Sequence, residues 1–232
     1  WAQPLPPFEA EGATLSGGIE DEQGKFNLNN LVPANGQGVN GPAVAIFQRL
    51  LNTLQLPVEL AGAVVDWIDA DQETTQPGGA EDLYYLAQDP PYRAANAPLA
   101  DISEIRRIKG ITDEVVTKLA PYVTALPTPT KVNVNTAPAV VLEVVAQGMS
   151  KGLAAQIVET RKREPFKATA ELAKILPADT ATAAQEALDV NSKYFAARAT
   201  VVLGRVTVSY RAILDRTAGG WPRIITMYGE SL

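Results

Sequence analysis

The residues best suited to chemistry in this chain lie in one acidic segment, residues 66–82, which holds six carboxylates. Three of them alternate in sequence just beyond an apolar helical pattern, and two more follow a Pro-Gly-Gly turn. Gly78 and Gly79 allow the chain to double back and bring the later acids round to the earlier ones. Ca²⁺ takes six to eight oxygen ligands from flexible loops, and this spacing suits it. We therefore predict a Ca²⁺ site whose ligands are Asp69, Asp71, Glu73, Glu81 and Asp82.

The spacing of this segment differs from that of an EF-hand, which has Gly at the sixth loop position and Glu at the twelfth. Asp66 is expected at the end of the preceding helix and not among the ligands. Like charges so close together repel one another unless they are solvated or a cation lies among them. The alternative is therefore a solvated acidic loop that binds no ion.

The composition excludes several kinds of functional site. The chain has no His and no Cys, which rules out zinc fingers, iron–sulfur clusters, Ser-His-Asp triads and Cys nucleophiles. Paired carboxylates could still perform glycosidase-type hydrolysis, but the acids lie in one turn-rich loop. We therefore predict that the protein is not an enzyme, and a carboxylate hydrolase is the least favoured function. A net charge of −6 disfavours nucleic acid and anionic membrane surfaces as partners.

The middle of the chain has the apolar spacing of helices. Two helix–break–helix patterns occur there: the first breaks at 109–111 and restarts after Thr112, and the second breaks at 147–149 and restarts after Ser150. They resemble helix-hairpin-helix modules, whose DNA-binding version places a second glycine where this chain has Thr112 and Ser150. These two side chains are predicted to cap helices instead. A nucleic-acid-binding module is the alternative function, although the basic cluster 161–163 is predicted to be a solvated helix end.

The carboxy-terminal quarter has the two-residue period of strands. The apolar residues change from odd to even numbers across Gly204-Arg205, which predicts a two-residue hairpin turn. In that register Leu203 faces Val206, Val201 faces Val208 and Ala199 faces Tyr210. All the apolar side chains then lie on one face of the hairpin, and a third strand is predicted over 221–228.

The amino-terminal region is predicted to supply the rest of this sheet. Residues 1–8 indicate an extended lead-in, and the strand at 13–19 is expected to form a hairpin with a returning strand at 26–28. Because a lone ribbon of two or three strands is marginal, this hairpin should join the last three strands in one antiparallel sheet. The predicted fold is α+β, with a sheet body from 1–39 and 191–232 and an inserted α-helical domain over 40–190.

Four segments, in this order along the chain, resemble the type II secretion system protein K family of Gram-negative minor pseudopilins. They are Ser16–Asn29, Asp66–Asp71, Gly78–Asp82 with Tyr84-Tyr85, and Lys131–Ala137. The resemblance implies a pilin-like sheet body with a large helical insertion, bound calcium, and a pseudopilus tip formed with the minor pseudopilins I and J. It also implies a periplasmic domain anchored in the inner membrane by an N-terminal helix that this chain does not contain. We expect a non-enzymatic subunit that caps the pseudopilus for protein export across the outer membrane.

Further polar and aromatic residues in these segments have structural interpretations. Asn135 and Thr136 are predicted to cap the helix that Pro138 opens, and we prefer a structural role for Asn133 over ligand binding. The aromatic residues of the second and third segments, Trp67, Tyr84 and Tyr85, are expected to lie in the core or brace the acidic loop.

Overall fold

The structure is a computed structural model, and it describes residues 5–230. Its strands are β1 (Leu5–Ala10), β2 (Ala13–Asp21), β3 (Phe26–Asn27), β4 (Val123–Thr124), β5 (Val132–Asn133), β6 (Leu188–Asp189), β7 (Tyr194–Leu203), β8 (Val206–Asp215) and β9 (Arg223–Glu230). Its α-helices are α1 (Gly41–Thr53), α2 (Leu60–Ile68), α3 (Asp82–Tyr85), α4 (Asp113–Leu119), α5 (Ala139–Val144), α6 (Lys151–Arg163) and α7 (Ala178–Ala187). Short 3₁₀ helices cover Glu22–Gly24, Leu28–Leu31, Ile102–Arg107 and Thr169–Lys174.

The described chain divides into two compact units. One is the sheet unit, which runs to Gln23 and resumes at Asn191, and the other is the helical unit, Gly24–Val190. The sequence predicted this first boundary at residue 39. In the structure, residues 24–39 belong with the helical unit and not with the sheet unit. The reason is packing, because Phe26, Leu28 and Leu31 are buried in a helical-unit core that also contains Phe47.

The sheet unit is a five-stranded antiparallel sheet in the order β1-β2-β7-β8-β9. The predicted union of amino- and carboxy-terminal strands in one sheet is therefore confirmed. The predicted hairpin of the strand at 13–19 with a strand at 26–28 was wrong. β2 pairs with β1, and β3 pairs in parallel with β4. Glu11 and Gly12 both have positive φ, as a tight two-residue turn between β1 and β2 requires. The prolines of β1 are tolerated because this strand lies at the edge of the sheet.

The β7–β8 hairpin has the predicted register. Leu203 lies opposite Val206, Val201 opposite Val208 and Ala199 opposite Tyr210. Since side chains alternate across a strand, the apolar residues of both strands share one face. At the turn end this face is open to solvent, with Val206 61% exposed. The third strand begins at Arg223, two residues later than predicted.

The helical unit is built around two clusters of buried apolar side chains. The first collects the inward faces of α1 and α2 and the hydrophobic residues of α4, and the second collects α5, α6 and α7. Thr112 caps α4 and Ser150 caps α6 through their side chains, as predicted. The segment before Thr112 contains a 3₁₀ helix, Ile102–Arg107, and another covers Thr169–Lys174. The sequence missed α7, an alanine-rich helix whose apolar face is weakly marked.

Among residues 5–230, no helix combines the length and the apolar character needed to cross a bilayer.

Candidate metal centre

The acidic segment begins where α2 ends. Every residue of α2 is buried, so the helix runs through the core and delivers Asp69, its C-cap residue, into a protected position. The Asp69 amide donates to the Val65 carbonyl at 2.9 Å, which fixes the start of the loop. Further on, the loop folds back against the same helix, and a Cβ on Gly79 would clash with the Asp66 carboxylate. Glycine at this position therefore permits the close return that the sequence predicted.

Three carboxylates meet in this loop. Asp69, Asp71 and Glu81 each offer an oxygen, and these oxygens all lie within 4.8 Å of one another. Asp69 is 2% exposed and Glu81 is 5% exposed, whereas Asp71 is exposed. Asp69 Oδ1 and both carboxylate oxygens of Glu81 have no hydrogen-bond partner. Burying unpaired polar oxygens is costly unless a partner from outside the chain satisfies them.

The electrostatics of these three groups match their geometry. Burial, reinforced by the charges of Asp71 and Asp66, raises the pKa of Asp69 to about 6. Burial, followed by repulsion from the neighbouring carboxylates, raises the pKa of Glu81 to about 7. A bound cation would reverse both effects by stabilising the ionised forms. The donor set consists of carboxylate oxygens, which suits a hard cation such as Ca²⁺ or Mg²⁺.

The other two predicted ligands lie outside this group of three. Asp82 Oδ2 accepts from Arg93 Nη1 at 3.2 Å, and Asp82 Oδ1 accepts from the Ala94 amide at 3.1 Å. Glu73 is exposed, and its backbone amide donates to Asp71 Oδ1 at 2.8 Å. The candidate ligand set is therefore narrowed to Asp69, Asp71 and Glu81. Asp82 instead connects the first turn of α3 to the segment at residues 93–94.

Comparison with known protein families finds matches to segments that contain the acidic loop and both helix–break–helix patterns. Residues 24–128 and 132–191 match two profiles that are both described as type II secretion system (T2SS), protein K. The chain belongs to the type II secretion system protein K family. The predicted resemblance is thereby confirmed, and the chain is a minor pseudopilin of the secretion pseudopilus.

Individual relatives span nearly the whole chain. The type II secretion system protein K of Pseudomonas aeruginosa is 38% identical over 230 residues, which cover 97% of this chain and 68% of the relative. The protein K of Aeromonas hydrophila is 32% identical, with 93% of this chain and 71% of the relative covered. The crystal structure of the GspK-GspI-GspJ complex from enterotoxigenic Escherichia coli contains a chain with a TM-score of 0.80 and 26% identity. That alignment covers 99% of this chain and 84% of the other, which confirms the predicted α+β fold with its helical insert.

Asp66 has the structural role that was expected in this protein K chain. It lies in the last turn of α2, is fully buried, and accepts from the Thr75 amide through Oδ1 at 3.0 Å and Oδ2 at 3.1 Å. Its carboxylate thus connects Thr75, in the middle of the acidic loop, to α2. The carboxylates of Asp69, Asp71 and Glu81 lie close to one another beside it.

The aromatic residues of the family motifs brace the loop as expected. The rings of Trp67 and Tyr85, both buried, meet edge to face with their centroids 5.1 Å apart. Tyr84 packs on Tyr85 and receives the Lys109 ammonium over its ring at 5.2 Å. Lys109 Nζ also donates to the Gly79 carbonyl at 3.0 Å, which fastens the returning arm of the loop.

Asn135 and Thr136 of the fourth motif do not cap the helix that follows Pro138, so that prediction was wrong. Pro138 is the residue that precedes α5, and no side chain caps this helix. Asn135 instead accepts from the Phe166 amide at 2.9 Å and donates to the Phe166 carbonyl at 3.0 Å. Asn133 Oδ1 accepts from the Asn135 amide at 2.9 Å. The structural role was correct in kind, but the two asparagines brace one loop, which Asn135 connects to Phe166, and not a helix end.

The basic cluster at the end of α6 is only partly solvated. Arg161 turns inward and donates through Nη1 to the Val134 carbonyl at 2.6 Å, and burial lowers its pKa. Lys162 pairs with Glu159 at the surface, at 2.7 Å. A cluster used in this way is a poor phosphate-binding surface, since phosphate affinity depends on several free cations.

Proposed function

We propose that this minor pseudopilin acts without catalysis, as the periplasmic head of an anchored subunit that forms the pseudopilus tip with pseudopilins I and J. The observation that carries the proposal is the 0.80 TM-score, over 99% of the chain, to a chain of the GspK-GspI-GspJ complex. The composition supports the non-enzymatic role, because the chain lacks both His and Cys.

The helical unit supports a position at the tip of the filament. Residues Gly24–Val190 are inserted along the chain between β2 and β7, which are paired strands of one sheet. The insertion therefore makes the head far larger than that sheet requires. A subunit of this bulk obstructs another subunit that would stack above it. We infer that the protein occurs once per pseudopilus, as a cap, and that its partners bind the sheet unit.

Mixing the purified soluble domains of the three pseudopilins tests this assembly, with the molar mass measured by light scattering. We expect a ternary complex at micromolar concentrations, and persistent monomers would contradict the proposal. Val206 and Leu83 provide a matched pair of variants, since both are exposed apolar residues on different units. Val206→Glu on the sheet should weaken the complex, whereas Leu83→Glu on the helical unit should leave it intact.

We further propose that Asp69, Asp71 and Glu81 bind Ca²⁺. The buried oxygens without partners support this, because an ion would satisfy them and neutralise three mutually repelling charges. The ion would fasten the arm that carries Glu81 to the end of α2. A ligand that binds only the folded protein raises its stability by mass action. Excess EDTA should therefore lower the melting temperature and added CaCl₂ should restore it, whereas an unmoved melting curve would indicate a solvated acidic loop.

A further inference from the structure

The three carboxylates leave the coordination shell of a calcium ion incomplete. Ca²⁺ takes six to eight oxygens, and backbone or amide carbonyls commonly supply those that carboxylates do not. Glu73 and Asp82, the remaining acids of the loop predicted as ligands, lie outside the group of three. Neutral oxygen ligands are therefore expected from elsewhere in the helical unit, in a position held close to the carboxylates.

Asn96 is held beside the acidic loop by a contact that crosses 25 positions of sequence. Its Nδ2 donates to the Asp71 carbonyl at 3.2 Å. The opposite orientation of this amide would set two oxygens against each other, so the hydrogen bond defines which atom is which. Because the amide oxygen is bonded to the same carbon as Nδ2, it too lies close to the backbone of Asp71, whose carboxylate belongs to the group of three.

The amide oxygen of Asn96 lacks a hydrogen-bond partner, as do the carboxylate oxygens of Glu81 and one of those of Asp69. Asn96 Oδ1 is shielded from solvent and has no hydrogen-bond partner, as is true of Asp69 Oδ1 and the Glu81 oxygens. Asn96 also has a φ of +45°, a left-handed conformation in which asparagine is enriched among the residues other than glycine. A buried, unpartnered acceptor beside an acidic cluster is more typical of a ligand site than of a plain loop.

We propose that Asn96 is a neutral ligand that completes the Ca²⁺ site through Oδ1. This inference rests on the proposed calcium binding and extends the site to residues beyond the acidic loop. Bound calcium would then connect three segments, namely the end of α2, the arm that carries Glu81, and the loop at Asn96. A neutral oxygen adds coordination without adding a further negative charge to an already repulsive group.

The experiment compares calcium binding by three Asn96 variants. Chelator-stripped wild-type protein, Asn96→Ala, Asn96→Gly and Asn96→Asp are titrated with CaCl₂ by calorimetry, and their melting temperatures are recorded with and without calcium. Asn96→Gly removes the oxygen but accepts the positive φ, so it separates loss of the ligand from backbone strain. Asn96→Asp keeps an oxygen ligand but loses both N–H donors, so it separates ligation from the hydrogen bond to Asp71.

We expect Asn96→Ala and Asn96→Gly to weaken calcium binding by about tenfold or more, the scale on which loss of a supporting group weakens metal sites. Asn96→Asp should bind calcium at least as tightly as the wild type. Equal affinity in wild type, Asn96→Ala and Asn96→Gly would overturn the role of Asn96 and leave the calcium site itself intact. Loss of affinity in Asn96→Asp equal to that in Asn96→Ala would show that the N–H donor matters and the oxygen does not. A wild-type protein that binds no calcium would instead overturn the proposed site as a whole.

Discussion

Both units of this protein bury carboxylates, and they compensate for that burial in opposite ways. In the sheet unit, Glu22 is 2% exposed, and its Oε1 lies 2.5 Å from Arg211 Nη2. Asp215 is also buried, and its Oδ2 lies 2.9 Å from Arg223 Nη2. In the helical unit, Asp69 and Glu81 are equally buried, yet three of their four oxygens have no partner.

The pKa values follow this difference. Hydrogen bonds from Thr217, with a further contribution from Arg223, lower the pKa of Asp215 to about 2. Burial and repulsion among the acids raise the pKa of Asp69 to about 6 and that of Glu81 to about 7. The chain thus supplies its own countercharges in the sheet unit, whereas the proposed Ca²⁺ would supply the countercharge in the acidic loop.

The largest effect is expected when a countercharge of the sheet is left alone. Glu22→Gln would strand the Arg211 guanidinium, whose side chain is only 14% exposed. We expect the free energy of unfolding to fall by about 3 kcal/mol, as when one partner of a buried pair is removed. Urea denaturation measures this, and Glu159→Gln is the control. Glu159 pairs with Lys162 at the exposed surface, so its loss should leave the free energy of unfolding nearly unchanged. Equal effects of the two variants would show that burial does not make the Glu22–Arg211 pair more important to stability than an exposed pair.

The same kind of change in the acidic loop should have the opposite sign. In the presence of EDTA, Asp69→Asn removes one of the repelling charges, so we expect the melting temperature to rise by roughly 2–4 °C, or about 1 kcal/mol. The variant should lose the stabilisation by calcium.

Glu73→Gln serves as the control for this prediction, because Glu73 is an exposed acid outside the group of three. It should keep most of the calcium response. A fall in the melting temperature of Asp69→Asn in EDTA would show that the carboxylate is already satisfied without an ion.

A third effect concerns pH. Asp69 and Glu81 bind protons more readily in the folded chain than in the unfolded one, since their pKa values of about 6 and 7 lie above the ordinary 3.8 and 4.5. In EDTA the folded state should therefore gain stability as the pH falls through this interval. Asp215 has the opposite sign, and its contribution is lost as the pH falls from 3.8 towards about 2. Melting temperatures across this range, at constant ionic strength, should show a rise followed by a fall. The rise should be absent from the double variant Asp69→Asn with Glu81→Gln.

The sequence predicts those features that depend on local rules. The change of apolar parity across Gly204-Arg205 defines the β7–β8 register, because a one-residue slip would move every apolar side chain to the other face. Thr112 and Ser150 were recognisable as caps because each precedes a helical pattern. The alternation of acids after α2 and the turn at Gly78-Gly79 placed Asp69, Asp71 and Glu81 in one predicted group, and their carboxylate oxygens lie within 4.8 Å of one another.

Features that depend on distant contacts could not be read from the sequence. The direction of the Asp82 side chain is decided by Arg93 and Ala94, which no spacing rule connects to it. Asn96 gives no signal in sequence, because its role depends on a contact with Asp71 across a long loop. The prolines of β1 suggested a lead-in and not a strand, since only the position at the sheet edge makes them acceptable.

Equilibrium dialysis of the chelator-stripped protein against CaCl₂ tests the central claim most directly. The account predicts saturable binding of about one Ca²⁺ per chain below millimolar free calcium, the range of extracellular calcium modules. The same dialysis on Asp69→Asn and on Glu81→Gln should show this binding lost. Wild-type protein that retains no more calcium than these two variants would contradict the account, because its buried carboxylates would then remain unpaired in the functional protein.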